Sequence, residues 1–209
     1  MKSTLFRIGA WSVALLALMS GELSRSQSYP GKPVRLVVGA TPASAPDAII
    51  RPIAQRFSES IRQPVVVDNR AGAGGVVAAQ LIASAPPDGY TILFVAAGAM
   101  SIAPFLAKKR PFDPVQDFTP VTLIATGPLI VSSHPLFSAR SVKEVIALAK
   151  SGPKQVLIGG PGAGSIQHLT VEMFNRAAGI SLGYVPYKGG APAVIDTVGG
   201  QIPLVITAI

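Results

Sequence analysis

Cysteine is absent from this 209-residue chain. That excludes a disulfide scaffold, a thiolate metal site and thiol catalysis. Histidine occurs only twice, at His134 and His168, and the ten acidic residues fall into no calcium-loop spacing. Metal binding and nucleophilic catalysis both lack their usual parts, so each histidine reads as a structural residue, no cofactor is implied and no enzyme is expected. Aromatics are 6% of the residues and the bases are scattered, the densest run being Lys108-Lys109-Arg110. Recognition of nucleic acid needs clustered bases with stacking aromatics, so nucleic acid is not an expected partner.

Long apolar runs are also missing. The longest, at residues 8–19, follows Lys2 and Arg7 and precedes the small-x-small site Ser24-Arg25-Ser26. It falls short of the roughly 20 residues that span a bilayer. This is the layout of a secretory signal peptide, assigned to residues 1–26, which would carry away the only tryptophan, Trp11. The mature chain is then expected near Gln27, exported and not membrane-spanning. Its formal charge falls from +8 to about +6 once Lys2, Arg7, Glu22 and Arg25 are removed. A scattered positive balance favours small anionic ligands through the long-range field.

What is present is an alternation of β-branched runs with helix patterns. Strands are expected at residues 34–39, 65–68, 90–96, 121–125, 129–133, 156–158, 184–187 and 202–206. Helices are expected from an N-cap at Asp47 to about Ile61, with a kink or late start at Pro52, and at residues 75–84, 165–178 and 191–198. Ser141-Val142-Lys143-Glu144 spells a capping box opening a helix to Lys150. Strands alternating with helices mean a parallel-rich α/β sheet. Thr126-Gly127-Pro128 is the expected hinge, dividing a first lobe, residues 27–126, from a second, residues 127–209. The apolar run that closes the chain reads as a strand stopped midway, so the second lobe is expected to be incomplete.

Glycine-rich loops follow several strands. The stretch Val65-Val66-Val67-Asp68-Asn69-Arg70-Ala71-Gly72-Ala73-Gly74-Gly75 is the clearest strand–loop–helix unit. Its loop and the loop at Gly162-Ala163-Gly164-Ser165 fail the nucleotide tests: neither has the third glycine of the dinucleotide fingerprint, and no lysine follows Gly164. What these loops share is simpler. A glycine loop at a helix N-terminus presents unpaired N–H groups, and in open α/β sheets such loops gather at the carboxyl ends of the strands. Residues 41–47, 71–75, 97–101 and 160–165 together favour a small carboxylate or other oxyanion.

Four motifs in register carry a family resemblance: Tyr29-Pro30-Gly31-Lys32-Pro33-Val34-Arg35, Asn69-Arg70-Ala71-Gly72-Ala73-Gly74-Gly75, Ala85-Pro86-Pro87-Asp88-Gly89-Tyr90-Thr91 and Val185-Pro186-Tyr187-Lys188-Gly189. The chain resembles the periplasmic receptors of tripartite tricarboxylate transporters, the Bug family. The resemblance implies a two-lobed, Venus-flytrap fold of the periplasmic-binding-protein type and a chain near 300 residues. It also implies a periplasmic location, a small carboxylate in the interlobe cleft and delivery to a membrane permease. The residues expected at the ligand are Ser44, Asp47, Gly98, Ala99, Ser101, Gly162, Gly164, Ser165 and Tyr187. Asp47 either orients the first loop or accepts from the ligand, while Arg70 is expected to pair locally. The family's Pro-Gly-Gly-x-x-Asp loop stands here as Pro42-Ala43-Ser44-Ala45-Pro46-Asp47, so only its ends match. A ligand-sensing module for a membrane sensor and an inert truncated copy are the alternative readings.

Overall fold

Two sets of apolar strands cannot leave their backbones unpaired, and each forms its own sheet. The computed structural model describes residues 29–152 and 155–208; the expected signal segment, residues 1–26, lies outside them. The first sheet holds β1 (Val34–Val38), β2 (Val65–Asn69) and β3 (Thr91–Phe94), all parallel, in the order β2-β1-β3. The second holds β4 (Leu129–Ser133), β5 (Leu157–Pro161), β6 (Gly183–Tyr187) and β7 (Leu204–Ala208), in the order β4-β7-β5-β6, with only β4 antiparallel to its neighbour. The α/β expectation holds, and we call each sheet with its helices a lobe.

In the first lobe, Leu36 and Val38 alternate onto one face of β1 and pack against Ile50 and Ala54 of α1 (Ala45–Ile61). On the opposite face Ala78, from α2 (Val76–Ala83), comes down beside Gly39. A Cβ added at Gly75 would lie 2.7 Å from a Val95 methyl and 3.2 Å from the Ala99 Cβ. With φ of 102° as well, this position accepts only glycine. Two short helices follow β3: α3 (Ala97–Ser101) and α4 (Ala103–Leu106).

In the second lobe, Ile158, Leu204 and Ile206 share a sheet face with Val171 of α6 (Ile166–Ala178) and with Val145 and Leu148 of α5 (Val142–Ser151). The other face meets α7 (Gly190–Val198), where Ala193 lies over Gly159. Asn175 fixes the turn between α6 and β6, donating to the Leu182 carbonyl at 3.1 Å and accepting from the Leu182 N–H at 2.9 Å.

Three local expectations change. Ser44, not Asp47, is the N-cap of α1; Asp47 sits in the first turn and its Oδ2 accepts from the Ala43 N–H at 3.0 Å. The carboxylate reaches back past the N-cap to the N–H of the residue before it, one position beyond the capping-box contact, and the same reach opens α5, where Glu144 accepts from the Arg140 N–H at 2.7 Å. Second, α1 runs unbroken through Pro52, because Ala48 and Pro52 both lie on the exposed side, where water satisfies the carbonyl that proline leaves unpaired. Third, residues 121–125 form no strand: they belong to neither sheet, and Val121 and Leu123 are 82% and 77% exposed. A β-branched run becomes a strand only where an edge is available to pair with it.

Candidate functional site

The parallel strands of both lobes end in loops that meet one another. An added Cβ at Gly162, after β5, would lie 2.6 Å from the Gly74 nitrogen and 3.1 Å from the Ala73 backbone. One at Gly98, in α3, would lie 2.9 Å from the Ile166 nitrogen at the start of α6, and Gly74 faces Ser165. Across a second seam, one at Gly189 would lie 2.6 Å from Thr41 Oγ1. Glycine at these positions lets main chain approach main chain. The loops of residues 71–75, 97–101 and 160–165 are thus brought together, and the loop of residues 41–47 meets the one after β6.

The first of these loops is held by charge. Asp47 is 3% exposed, and its carboxylate accepts from the Ala43 N–H, from Arg51 Nε at 2.9 Å and from Asn69 Nδ2 at 2.9 Å. The Arg51 hydrogen bond, helped by Asn69 and Ala43, holds this carboxyl below its ordinary value against the opposing effect of burial. Arg51 also donates to Asn69 Oδ1 at 3.1 Å, and Asn69 donates to the Ala40 carbonyl at 3.1 Å. Ser44 is buried, and its hydroxyl donates to the Thr41 carbonyl at 2.6 Å. Asp47 therefore orients the first loop, and both of its oxygens are occupied in doing so.

The loop after β5 is held by hydroxyl groups and an imidazole. Ser165, 4% exposed, caps α6: its Oγ accepts from the His168 N–H at 3.2 Å and donates to the Pro161 carbonyl at 3.1 Å. The Tyr184 hydroxyl donates to the same carbonyl. His168 stacks on Tyr184 at 4.4 Å between centroids, and its Nδ1 accepts from the Gly164 N–H at 3.2 Å. Burial pushes the Tyr184 hydroxyl up to about 12. Tyr187 is also pushed up to about 12, by burial and then by Asp196, to which it donates at 2.7 Å. Ala99 is buried, and the Ser101 hydroxyl donates back to the Ala97 carbonyl at 2.9 Å.

The structure thus brings Gly98, Gly162, Gly164 and Ser165 to one seam, with Gly74 of the expected loop of residues 71–75 as their partner. Ser44 and Asp47 support the neighbouring loop from behind. Thr41 lies inside the expected loop of residues 41–47 but was not among the residues expected at the ligand; it faces Gly189 across the second seam. Arg70 pairs with Asp68 at 3.0 Å, as expected, and Asp68 also takes both Nε and Nη2 of Arg35. These three line an open groove of about 500 Å³ along β1 and β2, where the charges satisfy one another.

Gly179-Ile180-Ser181-Leu182-Gly183 has the spelling of a nucleophile elbow, but it leads from α6 into β6. An elbow turns from strand into helix. Ser181 accepts from Gln155 Nε2 at 3.2 Å. Among the described residues no group of histidines and carboxylates suits a metal ion, and no helix is long and apolar enough to cross a membrane.

Comparison with known proteins gives a consistent result. The profile of the tripartite tricarboxylate transporter family receptor matches residues 49–209. A UPF0065 protein of Bordetella bronchiseptica is 36% identical over 192 residues, which cover 92% of this chain and 57% of that one. Among solved structures, Rpa4515 of Rhodopseudomonas palustris with adipate superposes with a TM-score of 0.82 at 36% identity, over 86% of this chain and 60% of that one. MatC of the same organism, with bound malate, gives 0.80 at 28% identity, over 86% and 61%. The chain spans about three-fifths of the length of these proteins.

Proposed function

Because this chain belongs to the tripartite tricarboxylate transporter receptor family, we propose that it is a periplasmic solute-binding protein that closes on a small carboxylate and passes it to a membrane permease, without catalysis. In this reading residues 1–26 are the export signal, residues 27–126 and 127–209 are the two lobes, and the ligand lies in the cleft between them. The observation that carries it is the meeting of glycine loops from both lobes at the carboxyl ends of parallel strands. Backbone N–H groups and helix N-termini suit an anionic oxygen, and closure of two such edges removes it from water. Two relatives of the same fold carry adipate and malate, both dicarboxylates. Within the cleft we assign main-chain contact to Gly98 and Gly162, while Gly164 and Ala99, whose N–H groups donate to His168 Nδ1 and to the Ala96 carbonyl, line it. Ser44, Asp47, Ser101, Ser165 and Tyr187 shape or border it.

Thermal unfolding in the presence of adipate, malate, succinate, citrate and aspartate tests this reading. A ligand present at 100 times its dissociation constant adds about 2.7 kcal/mol to stability, a rise of several degrees for a domain of this size. A cooperative transition that none of these acids moves would overturn the proposal.

A further inference from the structure

We propose that the Thr41 hydroxyl is a ligand-binding group: it donates to a carboxylate oxygen of the solute at the seam between the β1–α1 loop and Gly189. The inference rests on the carboxylate reading above and assigns that reading a specific residue. Thr41 Oγ1 is fully buried and is the side-chain polar atom left without a hydrogen-bond partner among the described residues. A buried hydroxyl with no partner carries a free-energy cost, so it calls for a partner the chain does not supply.

Slack in the loop does not explain the orphan. The Thr41 carbonyl accepts from both the Ser44 N–H, at 3.3 Å, and the Ser44 hydroxyl. Ala43 is tied to Asp47 and Ala40 to Asn69. The loop is pinned on both sides of Thr41, and its hydroxyl alone is left over. The facing position is equally specific. Gly189 has φ of −178°, an extended backbone open to any residue, so nothing in its conformation requires glycine. Space does: an added Cβ would press on Thr41 Oγ1 and, at 2.8 Å, on Thr41 Cγ2.

The chemistry at the seam selects the occupant. Gly189 caps α7 without a side chain, and the first turn of α7 holds no acidic residue. Its leading N–H groups are donors without a local side-chain acceptor, and the dipole of the helix adds positive potential at that end. Donors on one side and a free hydroxyl on the other converge on an acceptor, which a carboxylate oxygen is and an ammonium or guanidinium group is not. The lobes have to part to admit it.

Titration calorimetry with adipate and with malate tests the assignment. Thr41→Val keeps the shape and removes the hydroxyl, and Thr41→Ser keeps the hydroxyl. For whichever acid the wild type binds, T41V is expected to bind about 10- to 100-fold more weakly, T41S within about threefold of wild type, and the unfolding midpoint of unliganded T41V to be no lower than that of wild type. Gly189→Ala, which crowds the same hydroxyl without straining the backbone, is expected to weaken binding as well. Wild-type affinity in T41V overturns the inference and leaves the carboxylate reading standing. A wild type that binds neither acid overturns the assignment, and the carboxylate reading falls with it if succinate, citrate and aspartate also leave the wild-type transition unmoved.

Discussion

The loop after β1 and the loop after β5 do the same work in the two lobes by different chemistry. Each leads from a parallel strand into a helix and holds main chain at the seam. In the first lobe an ionised carboxylate, Asp47, gathers the loop N–H, Asn69 and Arg51. In the second, hydroxyls and an imidazole do so: Ser165 and Tyr184 share the Pro161 carbonyl, and His168 takes the Gly164 N–H. A charge-assisted hub is stronger for each bond, and its carboxylate contacts fail in acid; the tyrosine contact of the second hub fails where tyrosine ionises. These two contacts are therefore expected to be lost at opposite ends of the pH scale.

Breaking the charged hub is expected to have the largest effect. Asp47→Ala removes the charged acceptor of the Ala43 N–H, of Arg51 and of one hydrogen of the Asn69 amide, whose other contact is the Ala40 carbonyl, and a loss of about 3 kcal/mol is expected in urea unfolding. The pH dependence carries the sign. The carboxyl of Asp47 is held below its ordinary value, so its contribution is complete above the unfolded carboxylate pKa of about 3.9 and is lost as pH falls through the lower folded value. Asp47→Asn is expected to flatten that acid limb. An acid limb as steep in D47N as in wild type would show that the charge is not what holds the first loop.

The next expected effect falls on the seam where the lobes meet. Gly162 lies outside the left-handed region, so alanine meets no backbone strain there, yet its Cβ would stand 2.6 Å from the Gly74 nitrogen. Gly162→Ala is expected to hold the lobes apart, weakening carboxylate binding by about 100-fold, or about 2.7 kcal/mol, while each lobe keeps its fold. Small-angle scattering checks the cause: ligand should compact the wild type and leave G162A unchanged. Compaction of G162A like that of wild type would remove the glycine seam from the closed state.

The alternation of β-branched runs and helix patterns was enough to read both sheets, because period and turn chemistry are local. Residues 121–125 were misread because strand formation depends on an edge elsewhere in the chain, which a local pattern does not contain. The helix start at Ser44 was displaced by three residues for a related reason: serine and aspartate both favour N-caps, and only the Ala43 contact separates the cap from the reaching carboxylate. The site was legible as a set of glycine loops, though not in its pairings. That Gly74 faces Ser165, or that Gly189 leaves Thr41 Oγ1 buried and alone, follows from how residues far apart in sequence are packed.

The second hub supplies the smallest and most specific test. Tyr184→Phe keeps the ring over His168 and removes one donor to the Pro161 carbonyl, which still accepts from Ser165. A carbonyl that keeps one partner is not left unsatisfied, so the expected cost is about 1 kcal/mol. The alkaline limb is more telling. Burial raises the Tyr184 hydroxyl to about 12, whereas an unfolded tyrosine ionises near 10. Its contribution is therefore whole below about pH 10 and drains away as pH rises toward 12, because the unfolded chain gives up that proton first. Tyr187 has the same upward displacement, so wild type is expected to lose stability over this range in two superimposed parts. Y184F should remove one part and leave the acid limb of Asp47 untouched. If Y184F instead shifted the acid limb, the two hubs would be coupled across the seam, and their independence would fail.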